Sequence, residues 1–201
     1  MVVSNLSYGR GDARLFRALD FNLAAGQLLE VTGANGSGKT TLLRIACGFI
    51  EPDAGEIRWR GRDIRTHAGE YLRDICYVGH LNGIKLGLTP LENLTVARAL
   101  SGQSEKISLP GVLAKFKLDH YKDIPAQKLS SGQRRRLALA RLLIYRARLW
   151  LLDEPCISLD EEGKKLVWEL LRDHLGSGGA AIMASHDFIQ IDNISINRIN
   201  L

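Results

Sequence analysis

Apolar positions near the start of the chain alternate with polar ones. Residues 2–8 and 14–23 follow this rhythm, the second with Leu15, Leu19, Phe21 and Leu23. A period near two predicts strands with one buried face. Leu28–Thr32 is a short apolar run that leads into a glycine-rich turn. From about Gly38 to Cys47 the pattern predicts a helix, which Gly48 ends. Glu56–Trp59 and Ile75–Gly79 read as further strands.

The middle of the chain changes character. Thr89-Pro90-Leu91-Glu92 is a capping box with proline at the first helical position, so a helix is expected from there towards Leu100. Another is expected over roughly Leu109–Phe116. A third starts near Ser130, with Leu137, Leu139, Leu142 and Leu143 on its apolar side. Strand pattern returns at Leu149–Asp153 and Ala180–Ala184, with a helix from about Glu161 to Leu175 between them. This order predicts a single α/β domain: a core of about residues 1–80 and 147–201 with a helical subdomain of about 81–146 inserted.

Composition narrows the picture only a little. A chain of 201 residues suits one sizeable core, and 45% hydrophobic with 24% charged residues is ordinary for a globular domain. No apolar run approaches the ~20 residues of a spanning helix. Met1–Asn5 lacks a basic stretch followed by an apolar one, so no leader is expected and the protein should stay where it is made. Cys47, Cys76 and Cys156 lack metal-ligand spacing and read as small packed side chains in a reducing compartment. A net charge of +5 suits nucleic acid, anionic headgroups or a bound polyphosphate, and alone selects none of them.

Motifs do select. Gly33-Ala34-Asn35-Gly36-Ser37-Gly38-Lys39-Thr40 fits the phosphate-binding loop, with an apolar strand before it and a helix after it. Glycines let backbone N–H groups curl around phosphate oxygens, and the helix N-terminus adds positive potential. Lys39 can reach β- and γ-phosphates, and the Thr40 hydroxyl can ligate Mg²⁺. Leu149-Trp150-Leu151-Leu152-Asp153-Glu154 is an apolar strand that ends in two acids. Beside a phosphate loop, Asp153 can hold the Mg²⁺ water shell and Glu154 can polarise the attacking water. Leu129-Ser130-Ser131-Gly132-Gln133 opens a helix in which Ser130 is a natural cap. Arg134, Arg135 and Arg136 follow in the first turns, where the helix dipole disfavours cations. They suggest either a polyanion docked opposite or a solvated basic face.

Taken in this order, and with His186 after a final strand, these motifs resemble the ATP-binding-cassette ATPases over nearly the whole chain. The resemblance implies a phosphate-loop ATPase core with a mixed sheet and an inserted helical subdomain. It also implies that Gly33–Thr40 and Thr41 bind ATP, and that Tyr8 stacks on adenine, although a strand tyrosine is otherwise packing. Ser130, Ser131, Gly132 and Gln133 become a signature segment facing ATP on a second subunit. His186 becomes a switch histidine at the γ-phosphate, and Asp160 ends the loop that crosses the dimer interface. The implied partners are a second copy of the chain and integral membrane permease subunits, at the cytoplasmic face of the cell membrane.

A narrower resemblance lies in Gly79-His80-Leu81-Asn82-Gly83-Ile84-Lys85 and Leu88-Thr89-Pro90-Leu91-Glu92-Asn93-Leu94. Glutamine is usual at position 80. The Gly-His pair and the segment after it resemble the cytochrome c maturation ATPases, also called haem exporter ATP-binding subunits. In them ATP hydrolysis supports haem delivery to c-type cytochromes. His80 is expected to couple the γ-phosphate state to the docking segment Leu81–Glu92 without holding the metal, since Mg²⁺ prefers oxygen ligands. Ser131, and Cys156-Ile157-Ser158 ahead of Leu159-Asp160, depart from the wider pattern. One alternative is a soluble relative acting on nucleic acid or ribosomes. No long coiled coil and no second cassette supports it, so no nucleic-acid partner is expected. Another is a small-metabolite kinase, which has no use for the signature segment.

Overall fold

The computed structural model describes residues 1–11, 13–102, 107–185 and 194–201. Its elements in chain order are β1 (Val2–Arg10), β2 (Ala13–Asn22), β3 (Gln27–Thr32), α1 (Lys39–Ala46), β4 (Ala54–Trp59), β5 (Arg62–Asp63), α2 (Ala68–Asp74) and β6 (Ile75–Val78). There follow α3 (Pro90–Ser101), α4 (Leu109–Lys115), α5 (Ser131–Tyr145), β7 (Leu149–Asp153), α6 (Glu161–Gly176), β8 (Ala180–Ala184) and β9 (Ser195–Asn200).

The strands divide into two sheets. β2-β1-β4-β5 is antiparallel. β6-β7-β8-β3-β9 is parallel throughout. Every residue of β7 and of β8 is buried, which explains their unbroken apolar sequences: a parallel sheet is covered on both faces. Alternation along β7 sends Leu149 and Leu151 to a cluster shared with α1 and the antiparallel sheet. Trp150 and Leu152 point the other way, into a cluster shared with α3 to α6.

Helix starts follow their caps. The Thr89 side chain accepts from Glu92 N while the Glu92 carboxylate accepts from Thr89 N, with Pro90 at the first position of α3. Ser130 and Gln133 form the same reciprocal pair at the start of α5. α2, β5 and β9 went unread in the sequence. In β9 the apolar residues Ile196 and Ile199 are three apart, so no period of two marks the strand.

Candidate active site

Parallel strands bring their C-terminal ends to one side of the sheet, where ligands of such folds bind. The loop 33–38 follows β3, Asp153 ends β7 and Glu154 follows it. Together they border a cleft of 560 Å³ whose lining includes Lys39, Thr40, Thr41, His80, Asp153 and Glu154. Asn35, Gly36 and Gly38 form its loop wall.

Gly33 and Gly38 explain why the loop needs glycine. A Cβ on Gly33 would lie 2.6 Å from both Ser37 Oγ and the Leu201 carbonyl. Gly38 caps α1 at φ 109°, in the region that L side chains avoid. The Lys39 ammonium is folded back onto its own loop, donating to Gly33 O at 2.8 Å and Ala34 O at 3.0 Å. Ser37 Oγ is buried and has no partner among the described residues.

Thr40 Oγ1 donates to Asp153 Oδ2 at 2.9 Å and lies 3.1 Å from Oδ1. A hydroxyl and a carboxylate in contact are a hard oxygen set, which fits Mg²⁺. Glu154 follows at φ 49°, a left-handed backbone for a non-glycine residue. Its N–H donates to Ala184 O at 2.9 Å.

That strained turn is held by Arg135, which is 1% exposed. Its guanidinium donates to Pro155 O (3.1 Å), Gly79 O (2.7 Å), Asp153 O (2.8 Å) and Glu154 O (2.7 Å), and reaches Asn82 Oδ1 at 3.2 Å. Burial lowers its pKa from the ordinary arginine value. For Arg135 and Arg136 this corrects the reading as a docked or solvated basic group. Arg135 is an internal brace, and Arg136 donates to Asp160 Oδ1 at 2.6 Å. Its burial, though not its partners, was readable in the sequence, since Arg135 shares the helix face of Leu139 and Leu142, four and seven residues on.

Against this geometry, the sequence model of the family described as ABC transporter matches residues 16–157. The chain belongs to the ABC transporter family. It is 48% identical to the cytochrome c biogenesis ATP-binding export protein CcmA of Methylococcus capsulatus, over 90% of this chain and 88% of that protein. It is 43% identical to the CcmA of Dechloromonas aromatica, over 98% and 97%. The ATP-binding cassette MJ0796, solved as a dimer in a post-hydrolysis state with ADP and Pi, shares the fold at TM-score 0.81 and 23% identity, over 92% of this chain and 88% of that one.

Other residues expected of an ABC transporter cassette are placed less centrally. Ser130, Ser131, Gly132 and Gln133 do not line the cleft of their own chain. A Cβ on Gly132 would meet Ser158 O at 2.8 Å, so glycine there lets α5 start close to the loop after β7. Asp160 caps α6, accepting from Gly163 N at 2.8 Å. That bond, helped by Arg136, lowers its pKa from the usual carboxylate value. Tyr8 is not in the cleft lining and pairs with Phe16, ring centroids 6.3 Å apart. Arg10, Leu15 and Ile157, which sequence reasoning did not place in the site, do line it. His186 lies outside the described residues.

The segment after β6 is pinned from inside. Asn93 accepts from Lys85 N at 2.8 Å and donates to the carbonyls of Lys85 and Leu88 at 3.0 and 3.2 Å. Arg141 donates to Asn82 O at 2.8 Å and Gly83 O at 3.1 Å. Leu81 is nonetheless 82% exposed. Cys47 and Cys76 are buried with their thiol pKa values raised by desolvation, that of Cys76 to about 12. No helix among the described residues is long and apolar enough to cross a membrane.

Proposed function

We propose that this chain is the ATP-hydrolysing subunit of a cytochrome c biogenesis export complex. It works as a homodimer at the cytoplasmic face of the cell membrane, beneath integral membrane subunits, with no nucleic-acid partner. The observation that carries the catalytic part is the convergence of Lys39, Thr40, Asp153 and Glu154 on one cleft. The cytochrome c assignment rests on likeness to the CcmA proteins over nearly their full length.

ATP seats its phosphates in the loop, and Lys39 exchanges two carbonyls for β- and γ-phosphate oxygens. Thr40 and Asp153 would hold Mg²⁺, which would neutralise phosphate charge. Glu154 orients the attacking water and accepts its proton. Ser130 of a second copy completes the site. Its Oγ accepts from Gln133 N at 3.1 Å, so its own proton remains available to a phosphate oxygen. The exposed Leu81 and Leu86 offer apolar contact to a membrane subunit.

The test is a pair of variants. Lys39→Ala should lose ATP binding and turnover together. Glu154→Gln should bind ATP as the parent does, lose turnover, and accumulate as an ATP-dependent dimer on size-exclusion chromatography. Turnover that survives in Lys39→Ala refutes the phosphate-loop assignment. A Glu154→Gln protein that stays monomeric with saturating ATP refutes the dimer.

A further inference from the structure

The loop with Lys39, and Thr40 with Asp153, account for the phosphates and the metal of a bound nucleotide. The base and ribose must meet another wall of the cleft. The β1–β2 hairpin supplies one through Arg10 and Leu15. It sits directly on the loop, since a Cβ on Gly38 would lie 3.1 Å from Leu15 Cβ and 3.5 Å from Phe16 Cδ1.

Arg10 is the last residue of β1 and is exposed. Its backbone is held. It pairs with Ala13 across the hairpin, and the N–H of the preceding Gly9 donates to Asp53 Oδ2 at 2.8 Å. Its guanidinium, by contrast, makes no hydrogen bond or ion pair with any described residue. A cation on a fixed strand end, facing a cleft and left uncommitted, is available to a ligand. Tyr8, two residues earlier, has its ring against Phe16, which is itself buried in the core.

We propose that the Arg10 guanidinium, rather than the Tyr8 ring, is the platform on which the base of the bound nucleotide stacks. The inference rests on the nucleotide-binding reading above and names the residue that holds the base. A guanidinium is planar, delocalised and weakly hydrated, so it stacks on aromatic faces. Leu15 beside it gives the flat base an apolar neighbour. A phosphate at the same wall would lose hydration against Leu15 with nothing in return. A platform of this kind takes the π-face of the base and contributes affinity without reading its edges.

Calorimetry of the full chain with ADP and with inorganic pyrophosphate, each with Mg²⁺, separates base from phosphate. Arg10→Ala should weaken ADP about tenfold and leave pyrophosphate within about twofold. Arg10→Lys should bind ADP like the alanine variant, because an ammonium keeps the charge and loses the plane. Both variants should unfold at the parent's temperature, since Arg10 is exposed and unpaired among the described residues. Tyr8→Leu, which still packs on Phe16, should cost ADP less than Arg10→Ala does. ADP binding that Arg10→Ala leaves intact, or that Arg10→Lys restores to the parent's, overturns the platform. Equal loss of ADP and pyrophosphate does so too, as does a larger loss in Tyr8→Leu. All of these leave the ATPase reading standing; a parent that binds neither ADP nor pyrophosphate overturns both.

Discussion

Replacing Arg135 by methionine removes the brace of the catalytic turn while keeping a side chain of similar reach. Four carbonyls, of Gly79, Asp153, Glu154 and Pro155, lose their donor. Hydrogen bonds to a charged group contribute about 1.5–3 kcal/mol each, so their sum is roughly 6–12 kcal/mol. Against this stands the recovered desolvation of the guanidinium, several kcal/mol for a buried ion. The net loss expected is about 2–4 kcal/mol, since the recovered desolvation offsets most but not all of the lost hydrogen bonding. For a chain of this size that lowers Tm by about 4–16 °C. Turnover should fall further than stability explains, because the same carbonyls set the Glu154 backbone. Arg135→Lys, a point charge without the fork, should lie between parent and methionine. The assays are urea unfolding followed by circular dichroism, and phosphate release at a temperature where every variant is folded. Unfolding free energy within about 1 kcal/mol of the parent, with turnover intact, would refute the bracing argument.

Other expectations are simpler to check. His80→Gln should leave basal ATP turnover and its Mg²⁺ dependence within a few-fold, whereas His80→Ala should blunt stimulation by the membrane subunits in reconstituted vesicles; a steep new Mg²⁺ requirement would instead make His80 a metal-site residue. Iodoacetamide should label Cys156 first in the native protein, since burial raises the thiols of Cys47 and Cys76 out of the reactive range; mass spectrometry that finds Cys76 modified before unfolding would contradict this. Burial lowers the pKa of His174, so the unfolded chain binds that proton at higher pH than the folded one and stability falls as pH drops below about 6.5. His174→Phe should reduce the difference in urea midpoint between about pH 7 and about pH 5, and an unchanged difference counts against His174 as its source.

The sequence was most legible where one local rule dominates. Gly33–Thr40 needs a strand, a glycine turn and a helix in series, and all three were readable as adjacent text. Thr89–Glu92 and Ser130–Gln133 state their caps within four residues. Asp153 and Glu154 were assigned only with the phosphate loop beside them, since an apolar strand that ends in acids can equally end in solvent. What escaped depends on residues far apart in the chain. Arg135 joins carbonyls that follow β6 to others at the end of β7, and no window on α5 contains both. Arg10 and Leu15 reach the cleft only because β1 and β2 fold as a hairpin over Gly38. Tyr8, which the resemblance assigns to adenine, packs beside Phe16 on the same hairpin.

α5 ties these long-range features together. Its N-terminus carries the Ser130 cap, whose Oγ accepts from Gln133 N. One turn further on, Arg135 holds the carbonyls of Asp153 and Glu154. An anion drawn to the N-terminus of α5 therefore acts on a helix already clamped to the catalytic turn of its own subunit. In the proposed dimer that anion is the γ-phosphate held by the other copy. Phosphate on one subunit then biases the Glu154 geometry of its neighbour through a rigid element about one turn long, with no flexible loop between them.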